Sequence, residues 1–265
     1  ENRVERLALT KLSHGPVHID VIRSLLDLAQ SYILTDACES SIPHLEKALK
    51  LCFTLLQRDP EGNANECEAL TSLIMLTLAI AHVRMGQTER AESLVLKSQQ
   101  LNEDVHEDED DQSNFAIHLI LGQIHSSMGR IEEAEACFTT AWEIKEQLDS
   151  DHPLLGLVYT ELGRLYRNVG RLQESTEMFE RARQVSEMSR GPQDMEVAHL
   201  CFILCDLYSE LGNFDQALVS GRQAFEIVRK YVSPDKLHTR AFMTWKLHVQ
   251  VAYACTLIHN QQFKE

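Results

Sequence analysis

The sequence lacks most of what would give it chemistry or a membrane. Its longest apolar run, Leu73 to Val83, is interrupted by Thr77 and His82 and falls well short of the roughly 20 residues a bilayer span requires. None of GxxxxGKS/T, GxGxxG, GxSxG or HExxH occurs, so phosphate cradling, dinucleotide binding, esterase and zinc-protease chemistry lack their first requirement, and a non-enzyme is expected. Aromatic residues are only 6% of the chain, and no stretch alternates β-branched and polar residues for long enough to form a sheet. Basic residues are scarce. With 25 Lys and Arg against 40 Asp and Glu, the net charge is −15, which repels a phosphate backbone or an anionic leaflet and argues against nucleic-acid and membrane partners. The seven cysteines (38, 52, 67, 137, 201, 205 and 255) include no CxxC pair. They suit a reducing compartment, where each acts as a small apolar filler.

What is present is a repeat. A pair ending in a small residue recurs as Leu28-Ala29, Leu78-Ala79, Leu121-Gly122, Leu162-Gly163 and Leu204-Cys205, with a weaker copy at Tyr253-Ala254. Three residues after each of the five full pairs stands Tyr32, His82, His125, Tyr166 or Tyr208, and four further on a turn position holds Asp36, Gly86, Gly129, Gly170 or Gly212. Small residues return at Ser41, Ala91, Ala134, Ser175 and Ala217, and again at Ala48, Ser98, Ala141, Ala182 and Ala224. Positions 29, 79, 122, 163, 205 and 254 are 50, 43, 41, 42 and 49 residues apart. Small residues at fixed offsets let two helices approach closely while large ones fill the gap. Gly122, Gly163 and Ala79 are therefore expected at the closest contacts.

This register resembles the tetratricopeptide repeat, and its period near 42 is similar to that of the kinesin light chain class. In that class an element such as Asp151-His152-Pro153 or Gly191-Pro192 leads into the first helix of a unit, and Gly15-Pro16 before Asp20-Val21 has the same form. A further resemblance, to the ciliary tetratricopeptide repeat domain protein 23 type, rests on Leu7-Ala8-Leu9-Thr10-Lys11 and Leu28-Ala29-Gln30-Ser31-Tyr32. The fold implied is all-α, a right-handed superhelical solenoid of antiparallel helix pairs in one array over 1–265. Its repeats span 17–58, 65–102, 113–149, 153–189 and 194–231, with the end of a preceding repeat at 1–16 and a truncated one at 236–265. First helices are predicted at 17–34, 65–85, 113–128, 154–169, 195–211 and 239–259, and second helices at 39–58, 88–102, 131–148, 172–189 and 214–231. Val4, Leu7, Leu9 and Leu12 are expected on one face of the leading helix. Such half-repeats leave apolar faces uncovered, Leu7 and Leu9 at one end and Val249, Tyr253 and Leu257 at the other, through which the chain is expected to self-associate.

Other features read as structural. The acidic run from Asn102 to Asp111 carries seven carboxylates and is expected to be a solvated connection, with no glycine to bend a calcium loop. His82 and His125 take the ring position of the repeat and are expected to pack between helices. His14 and His18 flank Gly15-Pro16 but lack two further ligands for a zinc site. Cys201 and Cys205 are one helical turn apart and read as core. No cofactor is expected.

Binding remains. In tetratricopeptide repeats the first helices line the concave face, and the resemblance carries this onto a central row of Gln30, Ile80, Gln123, Arg164 and Asp206, flanked by Thr160, Ser126, Arg167, Asn168, His199, Phe202 and Ser209. Arg164, Arg167 and Asn168 form a basic and amide patch suited to a carboxylate or a peptide backbone, unless the arginines pair with Glu161 or solvent. The lysine and asparagine clamp of chaperone-tail binders is not supplied, and apolar Leu76, Ile80, Leu119 and Ile120 replace much of the kinesin light chain groove. Two or more protein or peptide partners held on a scaffold, in the cytoplasm and in a ciliary or cytoskeletal assembly, is the function implied. Alternatives are a groove receptor for one short linear peptide, or a regulatory domain of a larger signalling protein or enzyme.

Overall fold

The computed structural model describes residues 2–58, 64–105, 111–146 and 153–231. Every regular element among them is an α-helix, and no strand occurs there. The chain forms two compact units that divide close to the end of α7. The first holds α1 (Asn2–His14), α2 (Ile19–Leu34), α3 (Cys38–Arg58), α4 (Ala64–Arg84), α5 (Thr88–Val105), α6 (Asp111–Ser127) and α7 (Ile131–Glu146). The second holds α8 (Leu155–Asn168), α9 (Leu172–Arg190), α10 (Met195–Glu210) and α11 (Phe214–Tyr231). The ten helices after α1 fall in five antiparallel pairs, each within a few residues of its predicted span. The helix expected at 239–259, the truncated repeat at 236–265, the sixth copy at Tyr253-Ala254, the end residues Val249, Tyr253 and Leu257, and Cys255 all lie outside the described residues.

Backbone hydrogen bonds make each pair's turn the same. After the turn residue the chain donates back across the helix end to the carbonyl of the ring position: Ala37 to Tyr32, Gln87 to His82, Arg130 to His125, Arg171 to Tyr166 and Asn213 to Tyr208, all at 2.8–2.9 Å. This six-residue closure satisfies a carbonyl that the helix leaves open, and it needs a left-handed residue at the turn. Glycine meets that need in four copies, with φ of 73–78°, and Asp36 carries φ 61° in the first.

Both rows of small residues are completely buried, from Ser41 and Ala48 through Ala217 and Ala224. Packing at the helix crossing is set by a second relationship. Sixteen residues after the small member of each pair stands Leu45, Val95, Phe138, Phe179 or Gly221, all buried. A Cβ on Gly122 would lie 2.5 Å from the Phe138 ring, and one on Gly163 would lie 2.8 Å from Phe179. Where the first helix carries alanine the partner is smaller: Ala29 shares a core with Leu45, and Ala79 with Val95. In the fifth pair the buried Cys205 and Gly221 hold these two register positions. Volume is thus traded across the pair, and each buried phenylalanine contributes about 1.5–3 kcal/mol of transfer free energy.

Three expectations are corrected. On α1, Val4, Leu9 and Leu12 are exposed, Leu9 as expected of an uncovered face, but Leu7 does not share that face and is buried against α2. At 100° per residue Leu9 lies far round the helix from Leu7, and the face turned to α2 is Leu7, Thr10 and Lys11. Helices also intrude on the acidic run, since α5 continues to Val105 and α6 begins at Asp111, leaving 106–110 outside the described residues. Finally, α4 is long and apolar enough to pass as a membrane span by length and composition. Its apolar surface is spent within the protein: Leu70, Ile74, Leu76, Leu78 and Ala79 are buried in the first unit's core, alongside Thr71, Ser72 and Thr77.

Candidate partner-binding wall

The nine residues expected at a binding surface divide between the two units. Gln123 and Ser126 are half-buried on α6 of the first unit. The other seven lie on α8 and α10 of the second, where the first helices of successive repeats carry Thr160, Arg164, Arg167 and Asn168, and His199, Phe202 and Asp206.

Two of the seven are committed to the fold. Thr160 is buried and its hydroxyl donates to the Gly156 carbonyl one turn back, at 2.7 Å. Phe202 is half-buried and packs against the core of Val197, Ala198, Cys201 and Ile227. The arginines are the outward groups. Arg164 is exposed and its guanidinium lies 3.4 Å from Glu161 on the same helix, a long contact at the surface that holds it only weakly. Arg167 makes a tighter pair with Glu210 of α10, at 2.6 Å, which ties the two first helices together. Asn168 is exposed at the end of α8.

Electrostatics tune the acidic and imidazole groups between them. Burial pushes the Asp206 carboxyl above its ordinary range, Arg167 pulls it back and Glu210 pushes it further up. His199 is held below the ordinary imidazole value, chiefly by burial, with Arg164 acting in the same direction and Glu196 opposing it. The wall therefore carries alternating charge, two arginines against Glu161, Glu196, Asp206 and Glu210. The basic patch read from Arg164, Arg167 and Asn168 exists, but its cations are engaged by carboxylates, one of them the expected Glu161 and the other Glu210.

Glu210 was missed, and a signal for it exists. It stands 43 residues beyond Arg167, and Arg23 pairs with Glu66 across α2 and α4 at the same separation. Opposite charges 43 residues apart on successive first helices mark both bridges. A second missed relationship links the ring position to the residue that closes the turn. The His82 ring lies 2.9 Å from the Gln87 side chain, and Arg171 stacks over Tyr166 at 4.3 Å. At the equivalent place Arg130 cannot accept a hydrogen bond and turns instead to Glu92 at 3.1 Å. The buried His125 Nδ1 is left without a partner among the described residues.

The first unit adds a groove of about 520 Å³ around the α4–α5 turn, lined by Ile42, Glu46, His82, Arg90 and Leu94 among others.

Helix pairs in this register, closed by identical turns and packed through small residues, define the class. Residues 113–188 and 157–230 match the family model of the tetratricopeptide repeat. Its fold is similar to that of BtubC (BKLC) from P. vanneervenii, at 16% identity and a TM-score of 0.70 over 86% of each chain. It is also similar to a putative kinesin light chain with nearly identical TPR-like repeats from Podosopora anserina, at 20% identity and TM-score 0.57, over 81% of this chain and 98% of that one. A third likeness is to the signal transduction ATPase with numerous domains and a tetratricopeptide repeat sensor from Pyrococcus horikoshii. There the identity is 16% and the TM-score 0.65, over 90% of this chain and 33% of that one. No curated protein matches the sequence.

Proposed function

We propose that this chain is a non-catalytic scaffold that holds protein partners, reading them in part through the α8–α10 wall. Tetratricopeptide repeats generally bind proteins, and one observation carries the reading to this wall: the exposed Arg164, only loosely held by Glu161 at 3.4 Å, stands beside the exposed Asn168. A guanidinium in that state exchanges Glu161 for a partner carboxylate at little cost, while the amide can pair with a peptide backbone. Arg167 joins only if the partner displaces Glu210. The partner class is therefore a protein segment bearing acidic side chains or a terminal carboxylate. Open apolar surface on α1, at Val4, Leu9 and Leu12, supports self-association through a repeat end. A cytoplasmic site in a ciliary or other cytoskeletal assembly follows the sequence resemblance, and a single continuous array over 1–265 follows the repeat register.

A groove receptor for one linear peptide is the second reading, favoured by the 43-residue charge bridge that aligns α8 with α10. A third is the regulatory part of a larger protein, the role that a tetratricopeptide repeat sensor has in the Pyrococcus horikoshii ATPase. The test is to capture partners by crosslinking in cells and to compare Arg164→Glu and Arg164→Glu/Arg167→Glu with the parent. Loss of roughly tenfold in affinity, as expected for a charge-assisted contact of about 1.5–3 kcal/mol, supports the wall. A native partner indifferent to both variants places binding on another surface.

A further inference from the structure

The turn between α1 and α2 assembles a ligand set that neither helix holds alone. His14 is the last residue of α1, Gly15 reverses the chain with φ 86°, and His18 is the N-cap of α2. Asp20, two residues on, completes the group: one donor atom from each of His14, His18 and Asp20 lies within 4.8 Å of the other two. The two imidazoles stack, with ring centroids 4.6 Å apart and an interplanar angle of 30°. The third ligand that the spacing of His14 and His18 does not supply comes from Asp20.

We propose that His14, His18 and Asp20 form a binding site for a divalent transition metal of the zinc class. The donor geometry fits such an ion. His18 Nδ1 and Asp20 Oδ2 are 3.2 Å apart, close to the roughly 3.3 Å edge of a tetrahedron whose metal–ligand bonds are about 2.0–2.1 Å. His18 Nδ1 accepts the Asp20 backbone N–H at 3.2 Å, and since that nitrogen has one lone pair, an ion bound through Nδ1 takes the place of this cap hydrogen bond. Asp20 divides its oxygens, turning Oδ1 toward Arg23 at 3.5 Å and leaving Oδ2 on the histidine side. His14 is exposed and can rotate to supply the third bond, with water at the fourth position. Two imidazoles and one carboxylate select zinc, nickel or copper over magnesium or calcium, which prefer oxygen ligands throughout. Because the donors come from both sides of the turn, a bound ion would clamp α1 to α2.

The full chain, stripped of metal and kept reduced, is titrated with Zn²⁺ alone by calorimetry and by competition with a chromogenic chelator. One zinc per chain is expected, together with a rise in the thermal midpoint that scales with free Zn²⁺. His14→Gln, His18→Asn and Asp20→Asn should each weaken binding at least tenfold. Asparagine at position 18 keeps an N-cap acceptor, so unchanged helicity by circular dichroism separates ligand loss from loss of the cap. Absence of saturable binding overturns the site. So does binding that survives both His18→Asn and Asp20→Asn, which would assign the zinc to cysteines or histidines elsewhere.

Discussion

The ring of Phe179 occupies the space that a Cβ on Gly163 would need: the nearest ring carbon is 2.8 Å from that position. Both residues are buried, on the two helices of one repeat, and neither can move without opening the crossing between α8 and α9. Gly163→Ala is therefore expected to cost about 1–3 kcal/mol through overpacking, seen as a lower denaturant midpoint. Adding Phe179→Leu, the combination that Ala29 and Leu45 already form, should recover most of the loss. A double variant no better than the single one would show that the two positions do not share volume.

Turn chemistry gives a second expectation. Gly170→Val forces a β-branched residue into the left-handed region and should destabilise by about 1–2 kcal/mol. Asp36→Gly, at the equivalent turn with φ 61°, should be neutral or mildly stabilising. Thermal midpoints of the two variants check the contrast, and a stabilising Gly170→Val would contradict it.

Acid should weaken the fold through its histidines. His118 and His199 are held below the ordinary imidazole value of 6.5, chiefly by burial, so the unfolded chain takes up protons more readily. Stability is then complete above pH 6.5 and falls as pH drops through the window beneath it. Asp206 acts with the opposite sign: its raised carboxyl favours the protonated folded form, and acidification from the raised value toward 3.8 relieves that cost. Urea midpoints at pH 7.5 and 5.5 should differ in the direction set by the histidines, and His199→Gln should narrow the difference.

Thiol labelling offers a direct readout of burial. Cys201 is fully buried and its thiol is pushed up to about 12, mainly by loss of hydration. It should resist maleimide in the native state and react on unfolding, whereas half-exposed Cys137 should label earlier. Rapid native labelling of Cys201 would mean that the α9–α11 core opens readily.

How much of this was legible in the sequence depended on whether the signal was local. Helix spans were legible because Gly86, Gly129, Gly170 and Gly212 and the paired rows of small residues are fixed at short range by turn geometry and close approach. The burial of Leu7 on a face apart from Leu9 and Leu12 was not, since an apolar residue on a short helix is sorted by angle and neighbour as well as by type. At the candidate site, Arg164 and Asn168 emerged on the surface as the register implied. Thr160 was consumed by its own helix and Phe202 by the core, outcomes decided by the rotation of α8 and α10. The bridge from Arg167 to Glu210 depends on the offset between successive first helices, which a period read to within a residue or two does not resolve.

The exchange of bulk between positions sixteen residues apart also bears on how such an array can change in descent. A ring cannot be gained on one helix before the other has lost its methyl group, and a methyl group cannot be gained before the ring has gone. The two sites are thus coupled as a single heritable character, and divergence at the helix crossing must proceed by paired replacement or through an intermediate carrying a void. Positions on the outer wall, such as 164 and 168, bear no such constraint. Side chains there are therefore free to change while the frame that presents them stays fixed.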